Sequence, residues 1–326
     1  MRKTWLTDYR FWLGVAFSTV FLFMAFRTME WAQLGEALRS VDWLILTLAA
    51  GSFSLNMFVK GLRWRILLRP LGEVNTNDAF GYLNIGNMAN NLLPLRLGEV
   101  IRAVLLGEKK NFSKSSVLAT IVVERLIDIL FVVFLALILM FMMPVPALIK
   151  QATLAAGVIG SLGIFGLWWT AGRRWPDWLG DRLNRWLPRR TMETLKRLGH
   201  AFVAGMVALR SPKQVGLTLA YSVLAWGLVA ICFWLVLHAC QLNLPWVAAF
   251  MVLVLVNLGV AIPSAPGSIG VVHYMAIVAL KPWMVEQSAA QGFSIVLHAM
   301  PYLVTMVFGV VYLMREGIGL GRVTKI

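Results

Sequence analysis

Apolar residues run along this chain in blocks too long and too continuous for a fold surrounded by water. Windows at 43–59, 119–142, 152–170, 215–240 and 293–314 approach or exceed the length of helix that spans about 30 Å of hydrocarbon. A shorter block at 11–26 adds a sixth. It is followed by Arg27, Glu30 and Trp31 rather than a small-residue cleavage site, so it reads as a retained span and not a signal peptide. Two more regions, 79–106 and 246–280, are hydrophobic but carry proline, glycine and polar residues at their middles. The pattern predicts an all-α polytopic membrane protein with six full transmembrane helices plus two re-entrant helical hairpins, the interrupted regions dipping into the bilayer and returning to the same side.

The two interruptions share a signature. Pro94-Leu-Arg96-Leu-Gly98 and Pro266-Gly267-Ser-Ile-Gly270 are both P-x-x-x-G, 172 residues apart, and the flanking apolar windows follow the same offset. The chain therefore reads as a single membrane domain over 1–326, with a first repeat at 1–142 and a second at 151–314. Three full crossings per half is an odd number, which requires an inverted repeat. Broken hydrophobic segments at matching places in two halves point to a substrate site near the bilayer midplane. Backbone without helical pairing is tolerated at that depth only where protein buries it or water reaches it.

Composition strengthens this reading. Hydrophobic residues make up 59% of the 326 and charged residues 14%, with a mean hydropathy of +0.75, whereas soluble domains carry about 25% charged residues. A large soluble catalytic domain has no room. The net charge of +15, from 30 Lys+Arg against 15 Asp+Glu, reads as basic loops facing an anionic cytoplasmic leaflet and not as a nucleic-acid surface. With the N-terminus inside and both interrupted regions re-entrant, the inside receives 3 basic residues from the N-terminus and nine between Lys60 and Lys114. It also receives ten between Arg173 and Lys213 and three in the tail. The outside receives Arg27, Arg39, Lys150 and Lys281, and Arg125 alone falls within a span. That bias places both termini in the cytoplasm of a multi-pass protein of the cell membrane. The insertion at 171–214 is cytoplasmic and amphipathic: Leu179, Leu183, Trp186 and Leu187 recur among Arg182, Arg185, Arg189 and Arg190, as in a helix lying on the leaflet.

Candidate chemistry gathers at the interruptions. In the first, Asn84, Asn87 and Asn91 share a helical face, Pro94 ends that helix, and Gly98 permits a tight backbone. Glu99 and Arg102 follow, three residues apart and able to pair. Amides, exposed backbone donors and the arginines Arg96 and Arg102 suit a phosphate; alternatively, the two arginines mark the inside boundary at headgroup level. Glu124, Arg125 and Asp128 enter the membrane on the next span, where charges face an interior and pair. They either serve function directly or tie this helix to the hairpin, for example Arg125 to Glu99. The second interruption, with Pro263, Pro266, Gly267 and Gly270, is poor in charge, so its backbone does most of the hydrogen bonding. His273 and His298 stand in apolar surroundings, either as interior donors or as proton-linked groups.

Cys232 and Cys240 are about 12 Å apart on one helix, too far for a disulfide, and the four histidines form no metal-ligand cluster. No H-E-x-x-H, G-x-S-x-G, Walker loop or D-x-D pair is present. The motifs thus indicate no catalytic residues, no metal and no cofactor.

The stretch 90–102, followed by Val123-Glu124-Arg125-Leu-Ile-Asp128 and by Ile262-Pro263-Ser-Ala-Pro266-Gly267-Ser-Ile-Gly270, resembles the lysylphosphatidylglycerol synthase transmembrane (flippase-like) family, in motif order and spacing over nearly the whole chain. The resemblance implies a protein that moves lipids across the bilayer, as in the flippase half of multiple peptide resistance factors, hopanoid transporters and archaeal proteins tied to lipid-linked glycans. The expected partner is a membrane lipid of phospholipid, polyprenyl or hopanoid type. Two positions depart from the family pattern: His273 stands where relatives usually carry Glu, and His298 near where they often carry Arg. No soluble synthase segment follows Ile326, so aminoacylation of phosphatidylglycerol is not implied. An intramembrane enzyme modifying a lipid headgroup is the alternative reading.

Overall fold

A computed structural model describes residues 9–27, 31–93, 96–143, 147–170, 211–261, 264–319 and 321. Pro94, Pro263 and the amphipathic stretch 175–210 lie outside the described residues.

Every regular element among them is helical. The first half runs α1 (Tyr9–Phe26), α2 (Trp31–Arg39), α3 (Trp43–Leu68), α4 (Thr76–Leu92), α5 (Leu97–Lys110) and α6 (Lys114–Met142). The second runs α7 (Ala147–Thr170), α8 (Pro212–Ala239), α9 (Trp246–Val260), α10 (Val271–Leu280) and α11 (Gln287–Arg315). Four of them, α3, α6, α8 and α11, are long and apolar enough to cross a bilayer. Their limits follow from local chemistry. Asp42 caps α3, its carboxylate accepting from the Leu44 and Ile45 backbone N–H groups at 2.9 and 3.1 Å. Ser211 followed by Pro212 opens α8.

Helix α3 runs to Leu68, well past the end of its apolar window at 59. Hydropathy falls at Lys60 and Arg63, yet no proline interrupts the chain before Pro70, and most residues of the extra turns are buried against the rest of the protein. Arg63 therefore lies within a helix long and apolar enough to cross a bilayer, whereas the apolar windows placed Arg125 alone within a span.

Both interrupted regions fold back on themselves. Asp78, at the start of α4, pairs with Lys109 at 2.9 Å and Lys110 at 2.7 Å, at the end of α5. Nearer the turn, Gly86 and Gly98 bring the two helix backbones into contact, and a Cβ on Gly98 would collide with the Gly86 carbonyl oxygen. In the same way a Cβ on Gly259 of α9 would meet Val271 and Met275 of α10, at 3.1 and 2.5 Å. The two turns then meet: Arg96, held at φ 54°, donates from Nη2 to the Val260 carbonyl oxygen at 2.8 Å.

The packing repeats at the offset seen in the sequence. Adding 172 to the first residues of α3, α4, α5 and α6 gives 215, 248, 269 and 286, against starts at 212, 246, 271 and 287 for α8 to α11. Partnerships exchange accordingly: α4 packs on α11 as α9 packs on α6, α5 on α6 as α10 on α11, and α3 lies along α8. Lipid tails are as apolar as leucine, so close approach and polar contacts must hold such helices together. Between α3 and α8, Asn56 Nδ2 donates to the Ala225 carbonyl at 2.6 Å and Ser52 Oγ to the Leu228 carbonyl at 2.9 Å. Between α4 and α11, Gly309 admits Met88 and Gly81 admits the Tyr312 ring.

Candidate functional site

Where the two turns meet, a cavity of about 330 Å³ opens between the halves. It receives Asn87, Asn91, Arg96, Glu99, Arg102, Glu124 and Arg125 from the first half, with Gly267 and His298 from the second. Asp128 stands behind this wall, and Pro266, Gly270 and His273 support the second turn without lining the cavity.

The charges are paired in a chain from α3 to α5. Arg63 is completely buried and grips both carboxylates of α6. It donates to Asp128 Oδ1 at 2.7 Å and Oδ2 at 3.1 Å, and to Glu124 Oε1 at 3.1 Å. Its Nη1 also reaches Ser222 Oγ on α8 at 3.0 Å. The other Glu124 oxygen accepts from Arg102 Nη2 at 2.8 Å. The Arg102 guanidinium lies 3.4 Å from the centre of the Trp64 ring, whose Nε1 donates to Thr120 Oγ1 at 3.0 Å. Glu99 pairs with Arg125 at 2.7 Å, the tie between hairpin and span that the sequence left open. The neighbouring Glu99–Arg102 pairing does not form: α6 presents the Arg125 guanidinium to Glu99 and the Glu124 carboxylate to Arg102, so each of the two residues has a partner across the interface.

Two cations in the cavity wall have no such partner. Among the described residues no carboxylate lies within 4.0 Å of Lys60 or Arg96. Lys60 Nζ sits 5.8 Å from the Trp226 ring centre, and Arg96 makes its bond to the Val260 carbonyl. Lys60, Arg63, Trp64, Asn90, Asn257 and Tyr302 were all missed by sequence reasoning. For the α3 residues a usable signal existed: Asn56, Lys60 and Arg63 recur at helical spacing on an unbroken continuation of the span.

The second turn is built from backbone. The His298 ring Nε2 lies 2.8 Å from the Gly267 carbonyl, which only accepts, so Nε2 carries the proton. The Gly270 N–H donates to His273 Nδ1 at 3.3 Å, so that nitrogen does not carry one. The two rings meet edge to face at 4.8 Å. From α1, Ser18 Oγ accepts from the Ala265 N–H at 2.8 Å. None of the eight charges has a charged counterpart 172 residues on: those positions hold Cys232, Leu235, Ser268, Val271, Tyr274, Val296, Leu297 and Met300. Among the described residues, no three of His, Cys, Asp and Glu converge to hold a metal ion.

Beside the cavity, Leu92, Leu97 and Val100 of the first turn and Ile269 of the second expose their apolar side chains. The family model of the lysylphosphatidylglycerol synthase TM region matches residues 11–309. The chain belongs to that family. It is 26% identical over 297 residues to a UPF0104 membrane protein of Methanothermobacter thermautotrophicus, covering 85% of this chain and 87% of that one. A UPF0104 membrane protein of Methanocaldococcus jannaschii, MJ1078, is 26% identical over 68% of this chain and 91% of its own. The glycosyltransferase AglD of Haloferax volcanii is 24% identical over 86% of this chain, which spans only 50% of AglD. No solved structure matches the chain. As a family member with several apolar helices it is a multi-pass membrane protein.

Proposed function

We propose that this protein moves an anionic or amphiphilic lipid across the cell membrane, its headgroup passing through the cavity between α4–α5 and α9–α10 while its tails stay in the bilayer. One observation carries the reading: two folded-back helix pairs meet at a cavity whose walls are largely apolar but carry more positive than negative charge, next to exposed apolar side chains. In this proposal both pairs are re-entrant hairpins, the halves form an inverted repeat, and access to the headgroup passes from one hairpin to the other. Lys60 and Arg96 meet the headgroup, with Asn87 and Asn91 beside them. Arg63, Arg102, Arg125, Glu99, Glu124 and Asp128 hold the helices that shape the recess. The basic surface of the protein faces the anionic cytoplasmic leaflet.

The similarity to the glycosyltransferase AglD favours a second reading, an enzyme that alters a lipid headgroup. Against it, Glu99, Glu124 and Asp128 are all engaged by arginines, and no carboxylate in the wall is free to act as a base. Vesicles containing the full chain and a fluorescent phospholipid test both readings through quenching from outside. Transport makes inner-leaflet lipid reachable with its mass unchanged. An altered lipid mass, or a quenched fraction equal to that of empty vesicles, refutes transport.

A further inference from the structure

The charges around the cavity do not balance, and the imbalance specifies a ligand. Lys60, Arg63, Arg96, Arg102 and Arg125 stand against Glu99, Glu124 and Asp128, a surplus of two positive charges. Three arginines are tied to carboxylates at 3.1 Å or closer. The surplus therefore resides at Lys60 and Arg96, both in the cavity wall. Lys60 is half-buried and Arg96 is exposed beside the cavity; charge partly withdrawn from water without a counter-ion is costly at Lys60, and an anion of matching charge pairs with both. Lysine brings three rotatable donors and arginine five in a fixed fork. Arg96 keeps donors beyond the one given to Val260. The same cavity is also lined by Asn91, Asn257 and Tyr302, neutral groups that bond oxygen or hydroxyl without adding charge.

We infer that the cavity selects a headgroup bearing a doubly charged phosphate, a phosphomonoester or a diphosphate, with Lys60 and Arg96 as its ligands. A zwitterionic headgroup is disfavoured: its phosphate carries one charge, and its ammonium meets a wall already in cationic surplus. The inference rests on the lipid-transport reading but adds the headgroup class and assigns Lys60 a binding role.

The test uses the full chain purified in detergent at pH 8, where a phosphomonoester is largely dianionic. Thermal protection is measured with phosphatidic acid, phosphatidylglycerol and phosphatidylcholine of identical acyl chains, and separately with inorganic phosphate. Phosphatidic acid should protect at about tenfold lower concentration than phosphatidylcholine, and Lys60→Met or Arg96→Gln should each remove most of that preference. Lys60→Arg, which retains the charge, should keep it and serves as the folded control. Equal protection by the three lipids, or an unchanged preference in Lys60→Met, overturns the inference. Inorganic phosphate as potent as phosphatidic acid overturns the lipid source. Fluorescent phospholipid movement in vesicles is scored independently: movement without headgroup preference refutes the dianion and leaves transport standing, whereas preference without movement refutes transport alone.

Discussion

Arg63 is the residue on which the buried network depends most, and replacing it with methionine gives the sharpest test of the architecture. The side chain is fully buried, and its guanidinium serves Asp128, Glu124 and Ser222, joining α3 to α6 and α8. Methionine fills much of the same volume but carries no charge. Glu124 retains Arg102 at 2.8 Å, whereas Asp128 keeps a long contact with Arg125, at 3.8 Å, and the more distant charge of Lys60. Removing one partner of a buried ion pair costs about 3–5 kcal/mol, mostly the penalty of the charge left behind. At about 2–4 °C per kcal/mol in a protein of some size, the thermal midpoint of the purified protein should fall on the order of 10 °C. Arg63→Met with Asp128→Asn removes the stranded charge and should recover at least half of the loss. Size-exclusion profiles after graded heating read both quantities. The reasoning fails if Arg63→Met melts with the wild type, or if the double variant is no more stable than the single one.

Gly98→Ala should splay α4 from α5, because the new methyl group meets the Gly86 carbonyl in a rigid helix pair. A loss of about 1–3 kcal/mol or more, seen as a lower midpoint and lost transport, is expected, and wild-type stability would contradict it. Trp64→Leu removes the aromatic face over Arg102 and the hydrogen bond to Thr120 and leaves a buried void, and should cost roughly 2–4 kcal/mol, measured by the same heating series. His298→Gln retains an amide donor for the Gly267 carbonyl and should preserve transport better than His298→Leu; equal activities would show that the bond to the second turn is dispensable. Burial works against the Asp78 carboxylate, but its bonds from Lys110 and Lys109 hold its pKa below the usual carboxylate range. A depressed folded value means this contribution is complete above the unfolded pKa of about 3.9 and disappears as pH falls through the folded one. Asp78→Asn should therefore destabilise at pH 7 and close the gap to wild type below pH 4, followed by pH-dependent melting.

How much was legible in the sequence depended on what each signal measured. Apolar windows located the long helices because lipid and protein interior demand the same side chains. The breaks at 94–98 and 266–270 were legible because proline and glycine punctuate helices regardless of tertiary context. Arg63 and Lys60 were not, because a hydropathy window scores a charge by its transfer cost and cannot see the carboxylates that α6 brings to it. Pairing across helices was equally hidden. Glu99 and Arg102 look like partners along one helix, but the choice is made by what α6 presents. The same blindness weakens the count of basic residues by side: Lys60, Arg63, Arg96 and Arg102 belong to the bundle and cannot report on a loop.

All eight charges of the cavity network arise in one half of a chain whose helices otherwise repeat. If access alternates between two faces, the bound anion has unlike surroundings in the two states, guanidinium and ammonium groups in one and backbone N–H, side-chain amide N–H and hydroxyl donors in the other. Detailed balance then ties the ratio of affinities on the two faces to the equilibrium of the empty carrier. Such a carrier half-saturates at different concentrations on its two sides, and it still delivers no net flux unless the lipid's own gradient, or a coupled ion, supplies the drive.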